Sequence, residues 1–458
     1  MSDDLSVVRP PLFDEATKNA LNLLQDWYRE HRVSCNPDGQ DRLLAVLIRD
    51  PYGRCGVLFA ENACFGAGDS EESQQHLDQF RRELRAALGV HALSGDAVAL
   101  LPDQHVAPEA ILHDPDLIPL VEDGRFALLD RLQTNQEWLG KPVCIEPVLP
   151  LGVGYSIKGG VGRSTALAML ALSLAREGLK VVVVDLDLEA PGISNMLLAE
   201  EDVPSRGVID WLTEALVEED PNVFDDLLGQ ASSRHFFEQF GTLWVIPAAG
   251  RETQDYVSKL GRVYLPTFDA RAGKIRRLAF RLNQFLLKLK ERLDPDLVLL
   301  DSRAGLHDMG AAVVTQLGAQ VFLFGRDEPQ SWNSLKHLLL HLQRSVQVGT
   351  KDENQDLRLR LKMVASMMED FDTSLNRWKE HSYDTWTTLY DSDDTAPFSF
   401  APTDDAAPHD PLVIAFSSIV RKTPLNGPSI VGQWDLLAPS FRNFVDQAIV
   451  YLQIRDKV

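Results

Sequence analysis

The chain has 458 residues, 45% hydrophobic and 24% charged, with a formal net charge of -22. That length is enough for two domains with separate cores, and the composition excludes fibrous and disordered classes. Such an acidic surface repels nucleic acid and anionic lipid on average, so contact with either requires a local basic patch.

No stretch approaches the roughly 18 apolar residues of a membrane span, and the opening Met1-Ser2-Asp3-Asp4 is acidic, without an apolar leader. The four cysteines, Cys35, Cys55, Cys64 and Cys144, have no paired CxxC spacing, which predicts buried thiols in a reducing compartment. A cytoplasmic protein is expected.

Residues 1–140 read as a small α+β domain. A helix is predicted over about 10–33, with Leu21, Leu24 and Trp27 toward a core. Two apolar runs, 43–48 and 55–59, flank Asp50-Pro51-Tyr52-Gly53-Arg54 and predict a hairpin. A helix follows at 71–88, a strand at 97–101, and a last helix through Leu128, Leu129 and Leu132 to Trp138. Its histidines lack metal-ligand spacing, and no catalytic constellation is present, so recognition or regulation is the expected role.

A boundary near Gly140-Lys141-Pro142 opens a second domain, 141–458, in which apolar strands alternate with amphipathic helices as in a parallel sheet. Its centre is Lys158-Gly159-Gly160-Val161-Gly162-Arg163-Ser164-Thr165, between the apolar run 153–157 and the periodic run 166–174. A strand, a glycine-rich turn and a helix N-terminus bring backbone N–H groups around a phosphate, which points to a nucleoside triphosphate. Gly159, Gly160 and Gly162 leave the loop free to close on the anion. Ser164 stands where a P-loop hydroxyl meets Mg²⁺.

This spacing resembles the deviant Walker A loop of ParA/MinD-class (SIMIBI) P-loop ATPases, and within them a variant group whose loop reads KGGVGR. The resemblance implies an α/β P-loop NTPase fold with a mostly parallel sheet flanked by helices. It implies that Lys158 is the signature lysine that reaches across an ATP-dependent homodimer. It also implies that Asp187 positions the attacking water and that Asp185 belongs to the metal shell. Arg163 replaces the general P-loop lysine, keeping charge but changing shape, so slow or partner-dependent hydrolysis is expected.

The β-branched run 180–184 predicts a buried strand leading into these aspartates. Residues 207–240 read as helical, and 243–248 as a strand. A basic amphipathic helix is predicted over 274–292; its Arg276, Arg277 and Arg281 are the candidate nucleic-acid contacts, although a merely solvated face is the stronger reading. The strand 295–301 ends in Asp301, placed like a Walker B carboxylate that holds Mg²⁺. Residues 302–306 would form a γ-phosphate-sensing switch, with Gly305 supplying freedom; Arg303 is a candidate charge-stabilising arginine, although a structural ion pair is the stronger reading.

Strands follow at 319–324 and 361–365, with a helix at 334–342 between them. By the resemblance, Ser366 stands near an adenine-reading asparagine. Residues 383–411 read as an acidic loop, and 441–452 as a helix packed on the core rather than on a membrane.

The sequence therefore predicts an ATP-binding, ATP-hydrolysing dimeric switch acting on an unidentified protein partner. The alternatives are a scaffold with little or no hydrolysis, or a nucleic-acid partitioning or defence-system component.

Overall fold

The computed structural model describes residues 11–35, 42–61, 65, 71–132, 134–140, 142, 147–218, 220–269, 274–346, 357–369, 371–391 and 398–457. The chain divides into two compact units, Met1–Gly140 and Lys141–Val458. Cys64 and Cys144 lie outside the described residues, as does the side chain of Cys35. Cys55 is a buried free thiol whose pKa burial pushes up to about 11.

The first unit contains α1 (Phe13–Cys35), β1 (Ala45–Arg49), β2 (Cys55–Phe59), α2 (Glu71–Leu88), β3 (Ala99–Leu100), α3 (Pro108–Leu112), β4 (Ile118–Pro119) and β5 (Phe126–Asp130). Its five-stranded sheet has the order β3-β2-β1-β5-β4. Alternation along β1 sends Ala45 and Leu47 to a core shared with α1 and α2, and Val46 to a smaller one with Leu58, Ile111 and Leu129. Trp27 anchors the larger core, its ring 4.8 Å from Phe65, 5.1 Å from Phe59 and 5.7 Å from Phe80.

The helix expected through Leu128 is instead β5, parallel to β1, followed by a short 3₁₀ turn at Gln136–Leu139. A brief apolar run suits either element, and the vacant edge of β1 decides it. The strand expected at 97–101 is reduced to β3, because Gly95–Val98 coils into a 3₁₀ turn.

The second unit continues with β6 (Leu151–Ser156), α4 (Arg163–Arg176), β7 (Lys180–Leu186), α5 (Ile193–Leu197), α6 (Val208–Glu214), β8 (Gly229–Gln230), β9 (Thr242–Ile246) and α7 (Tyr256–Leu260). Then come β10 (Thr267–Asp269), β11 (Lys274–Arg276), α8 (Leu278–Leu293), β12 (Leu297–Ser302), α9 (Asp308–Ala311) and β13 (Gln320–Gly325). The last elements are α10 (Pro329–Val346), β14 (Leu361–Met368), α11 (Phe371–Trp386), β15 (Leu412–Ala415) and α12 (Ser429–Tyr451).

The main sheet has the order β15-β14-β13-β6-β12-β7-β9-β8, parallel throughout except for the antiparallel edge strand β8. The central strands β6, β7 and β12 are buried along almost their whole length, which explains their continuous apolar runs. One face carries α4 and α12: Phe444 of α12 packs 5.4 Å from Phe322 of β13. The C-terminal helix is therefore core, as its pattern predicts. A Cβ at Gly154 would meet Leu167 Cδ1 at 2.5 Å, so this glycine lets α4 lie directly on β6.

Three expected segments differ. Residues 207–240 hold one true helix, α6, and otherwise turns and β8. Lys274–Arg276 is a strand paired with β10, so the basic helix starts only at Leu278. Within 383–411, residues up to Trp386 complete α11, while Phe398, Ala407 and His409 are buried, so the described part of the acidic loop is packed. The Tyr390 hydroxyl meets His409 Nδ1 at 2.6 Å, and Lys362 donates to the Ala407 carbonyl at 2.8 Å, which pins this loop from within.

Candidate functional site

Parallel strands place their C-terminal ends together, and the register β12 to β7 sets Asp301 opposite Asp185. Between β6 and α4 the loop passes through Gly160 at φ 74° and Gly162 at φ 78°, left-handed conformations that L side chains rarely adopt. Gly159 and Gly160 face open space, and Gly162 caps the N-terminus of α4. Beneath the loop lies a cavity of about 480 Å³, lined by residues 159–165 together with Ser156, Asp187, Ala304, Ser366 and Met367. Phe416 and Ser417, beyond β15, close another side.

Arg163 is only 7% exposed and points inward. Its Nε donates to Asp301 Oδ1 at 2.6 Å, and its two terminal nitrogens reach Ser156 Oγ at 3.3 Å and Asp187 Oδ2 at 3.1 Å. Standing where the P-loop lysine is expected, this cation bridges the two carboxylates expected to serve metal and water. Asp301 is fully buried, and burial raises its pKa against the opposing pull of Arg163 and the neighbouring Ser164 hydroxyl. Its Oδ2 is enclosed without a well-formed hydrogen bond. An orphaned carboxylate oxygen beside a serine hydroxyl, at the mouth of a phosphate loop, fits a hard cation such as Mg²⁺.

Asp185, expected in the metal shell, is hydrogen-bonded to the segment that follows β7. Its Oδ2 accepts from Ser194 Oγ at 2.7 Å, Gly192 N at 3.1 Å and Ser194 N at 3.2 Å, while Oδ1 accepts from Asp187 N at 3.3 Å. This carboxylate shapes the loop that carries Asp187. Burial, then the nearby Asp301, lifts its pKa to about 7. Among the described residues no group of three or more His, Cys, Asp or Glu is placed to hold a metal ion.

Lys158 turns away from the cavity and pairs with Glu328, bordering a small adjoining cleft with Trp332 and Leu335. Arg281 is 2% exposed, and its guanidinium donates to the carbonyls of Leu212, Val263 and Leu265. It is a buried brace and is withdrawn as a nucleic-acid contact. Arg276 stacks on Phe280 at 4.6 Å. Arg303 makes the expected structural pair, NH1 to Glu189 Oε1 at 2.6 Å.

Several participants escaped the sequence. Ser156 ends the strand before the loop, a position that could have been checked; Ser194 and Met367, whose Cε would lie 3.0 Å from a Cβ on Gly162, carry no local signal. His307 has both ring nitrogens enclosed without a hydrogen-bond partner. Burial, with the cations Arg303 and Arg163 nearby, holds its pKa down at about 4 and keeps it neutral.

Residues 152–213 match a ParA family profile described as "NUBPL iron-transfer P-loop NTPase". An iron-sulfur cluster carrier protein of Salmonella typhimurium is 52% identical over 48 residues, 10% of this chain and 13% of that protein. The cytosolic Fe-S cluster assembly factor CFD1 of Chaetomium globosum is 40% identical over 65 residues, 14% of this chain and 22% of that protein. The chain thus spans 13% and 22% of the length of these curated relatives. Among solved structures, pNOB8 ParA bound to nonspecific DNA aligns with TM-score 0.42 and 12% identity, over 67% of this chain and 100% of that one. MinD of Aquifex aeolicus aligns with TM-score 0.40 and 16% identity, over 65% and 96%. No helix among the described residues is long and apolar enough to cross a membrane.

Proposed function

We propose that the protein, whose residues 152–213 match a ParA family profile, binds ATP with Mg²⁺ in this cavity and hydrolyses it slowly, switching a partner protein as a nucleotide-dependent homodimer. The observation that carries the reading is the loop itself: residues 159–165 wrap a cavity whose inner wall holds an orphaned Asp301 oxygen, with Ser164 beside it. The N–H groups of residues 159–165 and the N-terminus of α4 would hold the phosphates. Ser366, Met367 and Phe416 would face the base. Ser164 and Asp301 would hold Mg²⁺, which neutralises the β- and γ-phosphates when bound. Asp187, at the cavity edge, is the residue that would orient the attacking water.

A specific observation favours a second reading, a scaffold that holds nucleotide with little turnover. Arg163 occupies the Asp301 and Asp187 carboxylates, the two acids that hydrolysis needs. The cavity itself carries no iron-sulfur reading, since cluster ligation calls for thiolates and none of its lining residues is a cysteine.

Calorimetric titration with ATP and GTP in the presence of Mg²⁺ tests the reading. Wild-type chain should release heat that Gly160→Val abolishes, and no heat from the wild type would overturn it. Hydrolysis lost in Asp187→Ala supports the switch, whereas retained nucleotide with turnover appearing only in Arg163→Lys supports the scaffold.

A further inference from the structure

Beside the cavity, a second set of contacts ties the loops after β7 and β12 together. The loop after β7 carries Leu188 and Glu189; the loop after β12 carries Arg303, next to Ala304 in the cavity wall. Glu189 Oε1 receives Arg303 NH1 at 2.6 Å and the Tyr264 hydroxyl at 2.9 Å, while Oε2 is enclosed with no partner. One residue earlier, the Leu188 carbonyl accepts from the Tyr256 hydroxyl. Both tyrosines stay protonated donors: burial raises the Tyr256 pKa to about 12, and burial with Glu189 raises that of Tyr264 further.

These tyrosines belong to one segment, residues 253–265, which is gripped at its other contacts by rigid elements. The Thr253 hydroxyl and Lys259 both meet Asp210, whose Oδ2 also accepts from Gly207 N at 2.8 Å at the start of α6. From beneath, the buried Arg281 of α8 holds the Val263 and Leu265 carbonyls. The outer side of the segment is solvent-facing, with Val257 82% exposed. Displacement of either loop must therefore break Glu189 Oε1 from Arg303 and Tyr264 or carry the segment with it, and the break is costly because Oε2 already lacks a partner.

We propose that Glu189 is a positioning residue that couples the loops after β7 and β12 and relays their nucleotide-driven movement to residues 253–265. The inference rests on the nucleotide reading above. Two loops that each face the ligand differ in what they touch, Asp187 on one side and Ala304 on the other. One carboxylate shared by Arg303 and Tyr264 makes their rearrangement concerted, and the phenol anchors turn it into a change on the far surface.

Hydrogen–deuterium exchange on the full chain, with and without Mg²⁺ and a slowly cleaved ATP analogue, reads the relay directly. In the wild type, exchange in peptides covering 253–265 should change at least threefold on nucleotide addition. Tyr264→Phe, which removes one oxygen remote from the cavity, should bind the analogue with unchanged affinity and lose that response. Glu189→Gln should lose it as well and, in addition, uncouple exchange in 303–307 from exchange in 187–192. Melting temperatures of the variants serve as the control for a merely structural effect. Nucleotide bound by the wild type with no response in 253–265, or an undiminished response in both variants, overturns the relay alone. Absence of nucleotide binding by the wild type overturns the underlying reading and the relay with it, and the two failures are distinguished by the calorimetric heat.

Discussion

Removing the Arg163 guanidinium isolates the buried Asp301 carboxylate. Asp301 is 0% exposed and Arg163 7%, so water offers the abandoned charge little relief. Loss of one partner of a buried pair costs about 3–5 kcal/mol. For a unit of this size that corresponds to a fall of about 4–8 °C in its melting temperature. The pH dependence gives the sign. Without Arg163, the folded-state pKa of Asp301, already raised by burial, climbs further above its unfolded value. A carboxyl raised in the folded state contributes stability below its unfolded pKa and loses it as pH rises through the folded one. Arg163→Ala should therefore lie closer to wild type near pH 5 than at pH 8.

Calorimetric melting of Arg163→Ala, Asp301→Asn and the double variant closes a mutant cycle. Asp301→Asn removes the charge that Arg163 compensates, so the double variant should lose less than the sum of the singles, with a coupling of about 2 kcal/mol or more. Additive losses, or an Arg163→Ala protein within about 1 kcal/mol of wild type at pH 8, would refute the bridging geometry and return Arg163 to the phosphates.

Two further outcomes follow from buried polar groups. Asp185, with its pKa lifted to about 7, should make the protein lose stability as pH rises from about 4 to 7. Asp185→Asn should flatten that slope in pH-dependent unfolding, with a gain at pH 8 bounded at about 4 kcal/mol. Arg281→Ala strands backbone carbonyls of Leu212, Val263 and Leu265, so unfolding should show a loss of about 2–4 kcal/mol. Gel-shift titration at low salt should show no change in nucleic-acid affinity per folded molecule for that variant.

The features legible in the sequence were those with local causes. The β-branched run into Asp185, the apolar run into Asp301 and the glycines around Val161 each advertise an element through period or through backbone freedom, and all appear where expected. The amphipathic pattern of 441–452 specified its burial on β13 for the same reason. What failed depended on partners distant in sequence. Leu128 and Leu129 became strand because β1 offered an edge, and Arg281 turned inward because three carbonyls of other segments needed a donor. Spacing alone sets Asp185 and Asp187 at one strand end, and the contacts of Asp185 with Gly192 and Ser194, which the fold brings close, separate its place from that of Asp187 in the cavity wall.

The Arg163 substitution has a thermodynamic consequence that shape alone explains. A lysine ammonium is a point charge and pairs well with one carboxylate, whereas the guanidinium fork satisfies Asp301 and Asp187 together while also reaching Ser156. Moving Arg163 onto an incoming phosphate therefore strips two acids of their counter-charge at once, one of them fully buried. A triphosphate alone cannot repay that loss, since it adds negative charge to a site where Asp301 and Asp187 are then uncompensated. Only a cation arriving with it can. Nucleotide affinity should accordingly depend on Mg²⁺ more steeply in the wild type than in Arg163→Lys. ATP titrated into each protein with magnesium present and then chelated measures the two ratios, and a smaller or equal ratio in the wild type would show that Arg163 never leaves the carboxylates when nucleotide binds.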